Sequence, residues 1–145
     1  MPHADVISPE TRPRALVVDD NALVAWCLTE LLSEAGFDAK RAANGEEAIR
    51  MLERSAFDLI VTDLRLPEAD GFAVASVAKA RNPLAFIVMM SSFADAETLA
   101  RAMHIGLDGF LEKPVEFEML KKFTTPILRR KRTPENTAGA GGFAR

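Results

Sequence analysis

The stretch DLIVTDLRLPEADG, residues 58–71, decides the fold. Phe57 to Thr62 is a short run of mainly apolar residues, the pattern of a strand buried on both faces of a parallel sheet. The run stops at Asp63. Leu64 to Gly71 then carries Pro67 and the Asp70-Gly71 pair, which mark a loop and a turn. This segment therefore reads as a buried strand that delivers a carboxylate to its own carboxyl end.

The same arrangement recurs along the chain. Ala15 to Val18 is apolar throughout and stops at Asp19-Asp20. Val24, Cys27, Leu28, Leu31, Leu32 and Ala35 then repeat at helical spacing, with Gly36 where a C-cap belongs. Phe37 to Ala42 reads as a second strand. Asn44 with Glu47 three residues on resembles a capping box that opens a helix with Ala48, Met51 and Leu52 turned inward. After the third strand, a helix is predicted over Phe72 to Ala80 and a fourth strand over Ala85 to Met90, ending at Ser91-Ser92. Asp95 to His104 is the next helix, with Gly106 as its stop. Asp108 to Leu111 is a short fifth strand before Lys113-Pro114, and Val115 begins the last helix. Alternating strands and helices define an α/β fold with a parallel sheet.

The chain has 145 residues, 48% hydrophobic and 27% charged, which suits one domain with a single core. Its net charge of -3 gives no overall basic excess for nucleic acid, so no direct nucleic-acid binding is expected. No apolar run suits membrane insertion, no secretory-type apolar segment opens the chain, and a lone cysteine makes no internal disulfide. A cytoplasmic protein is the simplest expectation. Residues 1–13 and 131–145 have compositions that bury little and are expected to be flexible tails around a domain at 14–130.

In an open parallel sheet the carboxyl ends of the strands share one edge, and ligands bind where strand order reverses. Five units in the flavodoxin-like (βα)5 doubly wound order 2-1-3-4-5 put strands one and three side by side. Asp19, Asp20 and Asp63 then meet in one crevice, Ser91 lies on the adjoining strand, and Lys113 has a stem long enough to return its ammonium. Three carboxylates in contact repel by on the order of a few kcal/mol per close pair at an effective dielectric near 20. A hard cation such as Mg2+ suits that oxygen set, whereas the dispersed histidines and cysteine argue against zinc. Nucleophile, metal, ammonium and hydroxyl together supply what phosphoryl transfer to a carboxylate requires. Asp63, alone on the central strand, is the candidate nucleophile, and the Asp19-Asp20 pair is left to hold the metal.

These residues resemble the receiver domains of bacterial two-component response regulators, including chemotaxis receivers, over nearly all of residues 14–130. The resemblance rests on LVVDD (16–20), DLIVTDLRLPEADG (58–71), VMMSS (88–92) and GFLEKP (109–114), in that order and each at a predicted strand end. It implies a regulatory phosphoacceptor rather than a metabolic enzyme: Asp63 takes a phosphoryl group from a phosphohistidine on a sensor histidine kinase or histidine phosphotransfer protein. It also implies that Asp20 ligates Mg2+ directly, Asp19 acts mainly through water, and Asp63 with the Arg65 backbone carbonyl completes the protein ligands. Lys113 would contact the phosphoryl group, the Ser91 hydroxyl would bond one of its oxygens, and Phe110 would be the aromatic that moves inward with Ser91. The altered surface would be the fourth helix, fifth strand and fifth helix, approximately Asp95 to Arg130, presented to a downstream protein target that the sequence does not name.

Some residues depart from that pattern or have plainer readings. Pro126 falls within the last helix and is expected to kink or end it near Thr124. That puts the family's common dimer arrangement in doubt. Ser92 stands where a smaller residue is usual, and bulky Arg65 flanks the acceptor. Asp20 alone would be read as an N-cap, Asp63 as a turn residue and Lys113 as a solvated charge. Cys27 is expected to pack inward as a small hydrophobe, Met89 and Met90 as core, His104 as a helix-end cation, and Arg129 to Arg132 as a solvated run. A haloacid-dehalogenase-type phosphatase would need its Asp-x-Asp nucleophile on the first strand. A flavin-binding protein would need a Ser/Thr/Gly phosphate loop there. A receiver-like scaffold without phosphorylation would have no use for the full acid, hydroxyl and lysine set.

Overall fold

The computed structural model describes residues 11–132. The expected tails at 1–13 and 131–145 fall largely outside these residues. Five strands, β1 (Arg14–Val18), β2 (Asp38–Ala42), β3 (Leu59–Asp63), β4 (Phe86–Ser91) and β5 (Gly109–Glu112), alternate with five helices. The helices are α1 (Ala22–Ala35), α2 (Gly45–Arg54), α3 (Gly71–Arg81), α4 (Ala96–His104) and α5 (Phe117–Arg132). All strand pairs are parallel, in the order β2-β1-β3-β4-β5. The α/β fold and its strand order are those expected from the sequence.

Alternation along β1 divides the interior in two. Ala15 and Val17 face α1 and α5, meeting Ala25, Leu28, Leu32, Leu120, Phe123 and Ile127. Leu16 and Val18 face the other side, against α2 and α3. α4 is held less fully, with Ala102 its one buried residue. The strands start and stop within two residues of their predicted limits. β3 begins at Leu59 rather than Phe57, and Asp58 just before it accepts from Arg14 N with its side chain at 2.8 Å.

Four helices open on side-chain caps: Asn21, Asn44, Asp70 and Asp95 each accept from backbone N–H groups in the first turn. The box at α2 closes with Glu47 accepting from Ala43 N at 2.8 Å. At α1, Asn21 does the capping, so Asp20 is not needed for it.

Two expectations fail. Cys27 is exposed, and Leu31 is 38% exposed. α1 packs through Ala25, Leu28 and Leu32, and that seam turns Cys27 and Leu31 outward. The second correction concerns Pro126: α5 does not end near Thr124 but continues to Arg132 with the proline inside it. Pro126 and Lys122 both lie on the exposed side. The Lys122 carbonyl that loses its bond there meets water, while Leu120 and Ile127, both fully buried, hold the helix to the sheet on either side. No helix among the described residues is long and apolar enough to cross a membrane.

Candidate phosphorylation site

β1 ends by splitting its two acids. Asp19 is 1% exposed and Asp20 is exposed, as alternation beyond a buried strand requires. Asp19 N–H donates to the Ala42 carbonyl, and one Asp19 oxygen accepts from Asn21 N at 2.9 Å. Asp63, at the end of β3, is 8% exposed, and its Oδ1 accepts from Arg65 N at 3.3 Å. α3 starts immediately beneath it: a β-carbon on Gly71 would run into the Asp63 carbonyl, so only glycine admits this approach.

Lys113 is aimed by its own backbone, whose N–H donates to the Ser91 carbonyl at 2.9 Å. The bond to Pro114 that follows is cis. From there the ammonium reaches Asp63 Oδ2 at 2.8 Å and Asp19 Oδ2 at 3.0 Å. Burial acts to lower the Lys113 pKa, but the hydrogen bonds and charges of Asp63 and Asp19 outweigh it and hold the ammonium above its usual value. Carboxylate oxygens of Asp19, Asp20 and Asp63 lie within 4.8 Å of one another. Two carboxylates tied to one ammonium, with a third open to solvent, form an oxygen donor set that fits Mg2+, with room for water ligands on the Asp20 side.

Asp19, Asp20, Asp63 and Lys113 thus come together, whereas Ser91 and Phe110 lie apart from the acid cluster. The Ser91 hydroxyl points into its own loop, donating to the Phe93 carbonyl at 2.5 Å and accepting from Phe93 N at 3.1 Å. Phe110 is half-buried against the Leu64, Phe72, Met89 and Ala102 cluster and lines a recess with Ser91, Phe93 and Leu99. His104 ends α4 without approaching the acid cluster, as expected of a helix-end residue.

Sequence reasoning missed two features. An apolar groove of about 540 Å³ flanks the site, lined by Leu23, Val24, Cys27 and Leu31 of α1 and by Lys113, Pro114 and Val115. Its signal was an apolar pattern on α1 wider than one buried face can use. The other is Arg41 at the end of β2, which lines a small recess with Asp19, Asp20 and Glu47. An arginine on an edge strand carries no signal in sequence.

With this geometry in place, comparison with known proteins defines the class. The response regulator receiver domain family matches residues 15–125, and the chain belongs to it. Receiver domains are regulatory parts of two-component systems that accept phosphoryl groups and bind Mg2+ at such an acidic group. The chain is 33% identical over 125 residues to the response regulator protein PilR of Pseudomonas aeruginosa, covering 86% of this chain and 28% of that one. It is likewise 33% identical over 117 residues to the transcriptional regulatory protein ZraR of Salmonella typhimurium, covering 81% of this chain and 26% of that one. It therefore spans about a quarter of the length of these relatives. Among solved structures, Vibrio cholerae chemotaxis protein CheY4 aligns with a TM-score of 0.72 at 25% identity, covering 80% of this chain and 98% of that one. The response regulator TrrA of Thermotoga maritima, in complex with Mg(2+)-BeF, aligns at 0.68 and 27% identity, covering 79% of this chain and 98% of that one.

Proposed function

We propose that this chain is a cytoplasmic phosphorylation switch in which Asp63 accepts a phosphoryl group from a phosphohistidine on a sensor histidine kinase or histidine phosphotransfer protein. The observation that carries the proposal is the Lys113 ammonium 2.8 Å from Asp63 Oδ2, within a triad of carboxylates suited to a divalent ion. In the transfer, an Asp63 carboxylate oxygen attacks phosphorus, its O–P bond forms as the donor's N–P bond breaks, and the electron pair leaves with the imidazole. Bound Mg2+ supplies charge neutralisation at the equatorial oxygens. Asp20 would be a direct ligand, Asp19 a ligand through water, and Asp63 with the Arg65 backbone carbonyl would complete the protein's share of the metal site. Lys113 then follows the new phosphoryl oxygens.

The Ser91 hydroxyl would leave Phe93 for a phosphoryl oxygen, and Phe110 would move into the space that opens. This shifts the population of the α4, β5 and α5 surface, through which the switch reaches its protein target. Autodephosphorylation, in which water attacks the same phosphorus as its bond to the Asp63 oxygen breaks, would release inorganic phosphate and the free carboxylate and complete the cycle. The groove beside Lys113 is the proposed seat of the phosphodonor, since a histidine-bearing helix must bring its ring to Asp63 and the groove offers apolar contact at that rim.

Incubation with Mg2+ and acetyl phosphate, followed by intact mass measurement, tests the proposal. One phosphoryl adduct on the native chain and none on Asp63→Ala is expected. No adduct on the native chain, or persistence in the variant, overturns it.

A further inference from the structure

Lys113 is not the only cation at the acid cluster. Arg41 pairs in register with Val17, one residue below the level at which Ala42 accepts the Asp19 N–H. Its neighbour on the same face of β2, Ala39, packs against the α1 side of the sheet. The Arg41 stem therefore rises along the first turn of α1. Two small residues there, Ala22 and Ala25, leave a recess of about 230 Å³ whose remaining walls include Asp19, Asp20 and Glu47. Glu47 is committed to capping α2, accepting from Ala43 N. Lys113 contacts Asp19 and Asp63 from the β5 side and makes no ion pair with Asp20.

We propose that Arg41 is a second electrostatic residue of the phosphorylation site, a built-in cation facing Asp20 that holds down the affinity of the resting site for Mg2+. The inference rests on the metal-site reading above. Asp19, Asp20, Asp63 and Glu47 carry four negative charges against the single positive charge of Lys113, a balance of -3 that Arg41 reduces to -2. Arg41 thereby weakens the attraction that the incoming divalent ion meets across the recess. Arg41 is itself exposed, so its field is screened. A unit charge at the far side of a recess this size should weaken divalent binding roughly two- to fourfold at ~0.1 M salt, with a larger effect at lower ionic strength. Arg41 acts by its field across the recess and touches no reacting atom, so it is not a catalytic residue.

Calorimetric titration of Mg2+ into the full chain tests this. Arg41→Gln should bind Mg2+ roughly two- to fourfold more tightly, Arg41→Lys should remain near the native affinity, and the gain should shrink as salt is raised. Arg54→Gln, which makes the same change in net charge at the exposed end of α2, should leave the affinity unchanged. Unchanged or weaker binding by Arg41→Gln overturns the proposal, as does an equal gain in Arg54→Gln or a gain indifferent to salt. Failure of the native chain to bind Mg2+ at all overturns the metal-site reading itself, whereas native binding that is lost in Asp20→Asn but unmoved in Arg41→Gln overturns only the role of Arg41.

Discussion

Asp20→Asn should change sign with the metal. In the absence of divalent ions Asp20 faces two like charges and one ammonium, and the exposed Arg41 across the recess adds only a screened charge, so one like-charge pair is left largely without compensation. At the 4.8 Å limit of oxygen separation that pair costs about 0.9 kcal/mol at the dielectric of water and about 3.5 kcal/mol at an effective value of 20. Asp20 is exposed, which places it near the lower figure. Asp20→Asn should therefore stabilise the metal-free fold by about 1 kcal/mol. With Mg2+ present the native chain gains linkage energy, about 2.7 kcal/mol at a hundredfold excess over Kd, and a variant lacking the proposed direct ligand loses most of it. Urea unfolding followed by circular dichroism, in chelator and in excess Mg2+, should show the two stability curves exchanging order. A variant less stable than the native chain in chelator, or a difference between them that Mg2+ leaves unchanged, would refute the reasoning.

Three further outcomes follow from packing and charge. Gly109→Ala places a β-carbon against the Phe123 ring and should cost about 1–3 kcal/mol in urea unfolding, and a cost within experimental error would mean the ring is free to move. Pro126→Ala restores a backbone donor to an otherwise continuous α5 and should raise the unfolding free energy by on the order of 1 kcal/mol or more, so a lowered value would show that the proline is favourable where it stands. Because the folded-state pKa of Lys113 is raised, its stabilisation is fully present below the ordinary lysine value and is lost as pH rises through the higher folded value. The stability gap between the native chain and Lys113→Met should therefore persist at pH 8 and close in strongly alkaline solution, and a gap independent of pH would contradict the ion pairs described.

How much of this was legible in sequence depended on the kind of signal each residue gives. Asp19, Asp20, Asp63, Ser91 and Lys113 were found because apolar runs mark parallel strands, and parallel strands gather their carboxyl ends whatever the intervening helices do. The sequence could not say which of the acids is buried, since that turns on the side to which the chain leaves β1. Cys27 was misplaced because α1 is apolar over more than one face, and periodicity cannot tell a face that packs on the sheet from one that lines a groove. Pro126 was misread because the rule for proline concerns local geometry. Its outcome here is decided by burial on the opposite face, where Leu120 and Ile127 anchor the helix. Arg41 belongs to neither case, as its role depends on two alanines contributed by a different element.

The closed hydrogen-bond circuit between Ser91 and Phe93 would make the proposed activation an exchange reaction. In that proposal the hydroxyl surrenders a neutral bond to the Phe93 carbonyl in return for a charge-assisted one, and only the difference, on the order of 1 kcal/mol, would be available to drive the change. That difference alone moves the occupancy of the active arrangement about fivefold, short of the roughly 5.5 kcal/mol that carries a two-state equilibrium from 1:99 to 99:1. Under the proposed switch, Ser91 taken alone would be a rheostat, and a full swing would require Lys113, the β4–α4 loop and Phe110 to move in the same step.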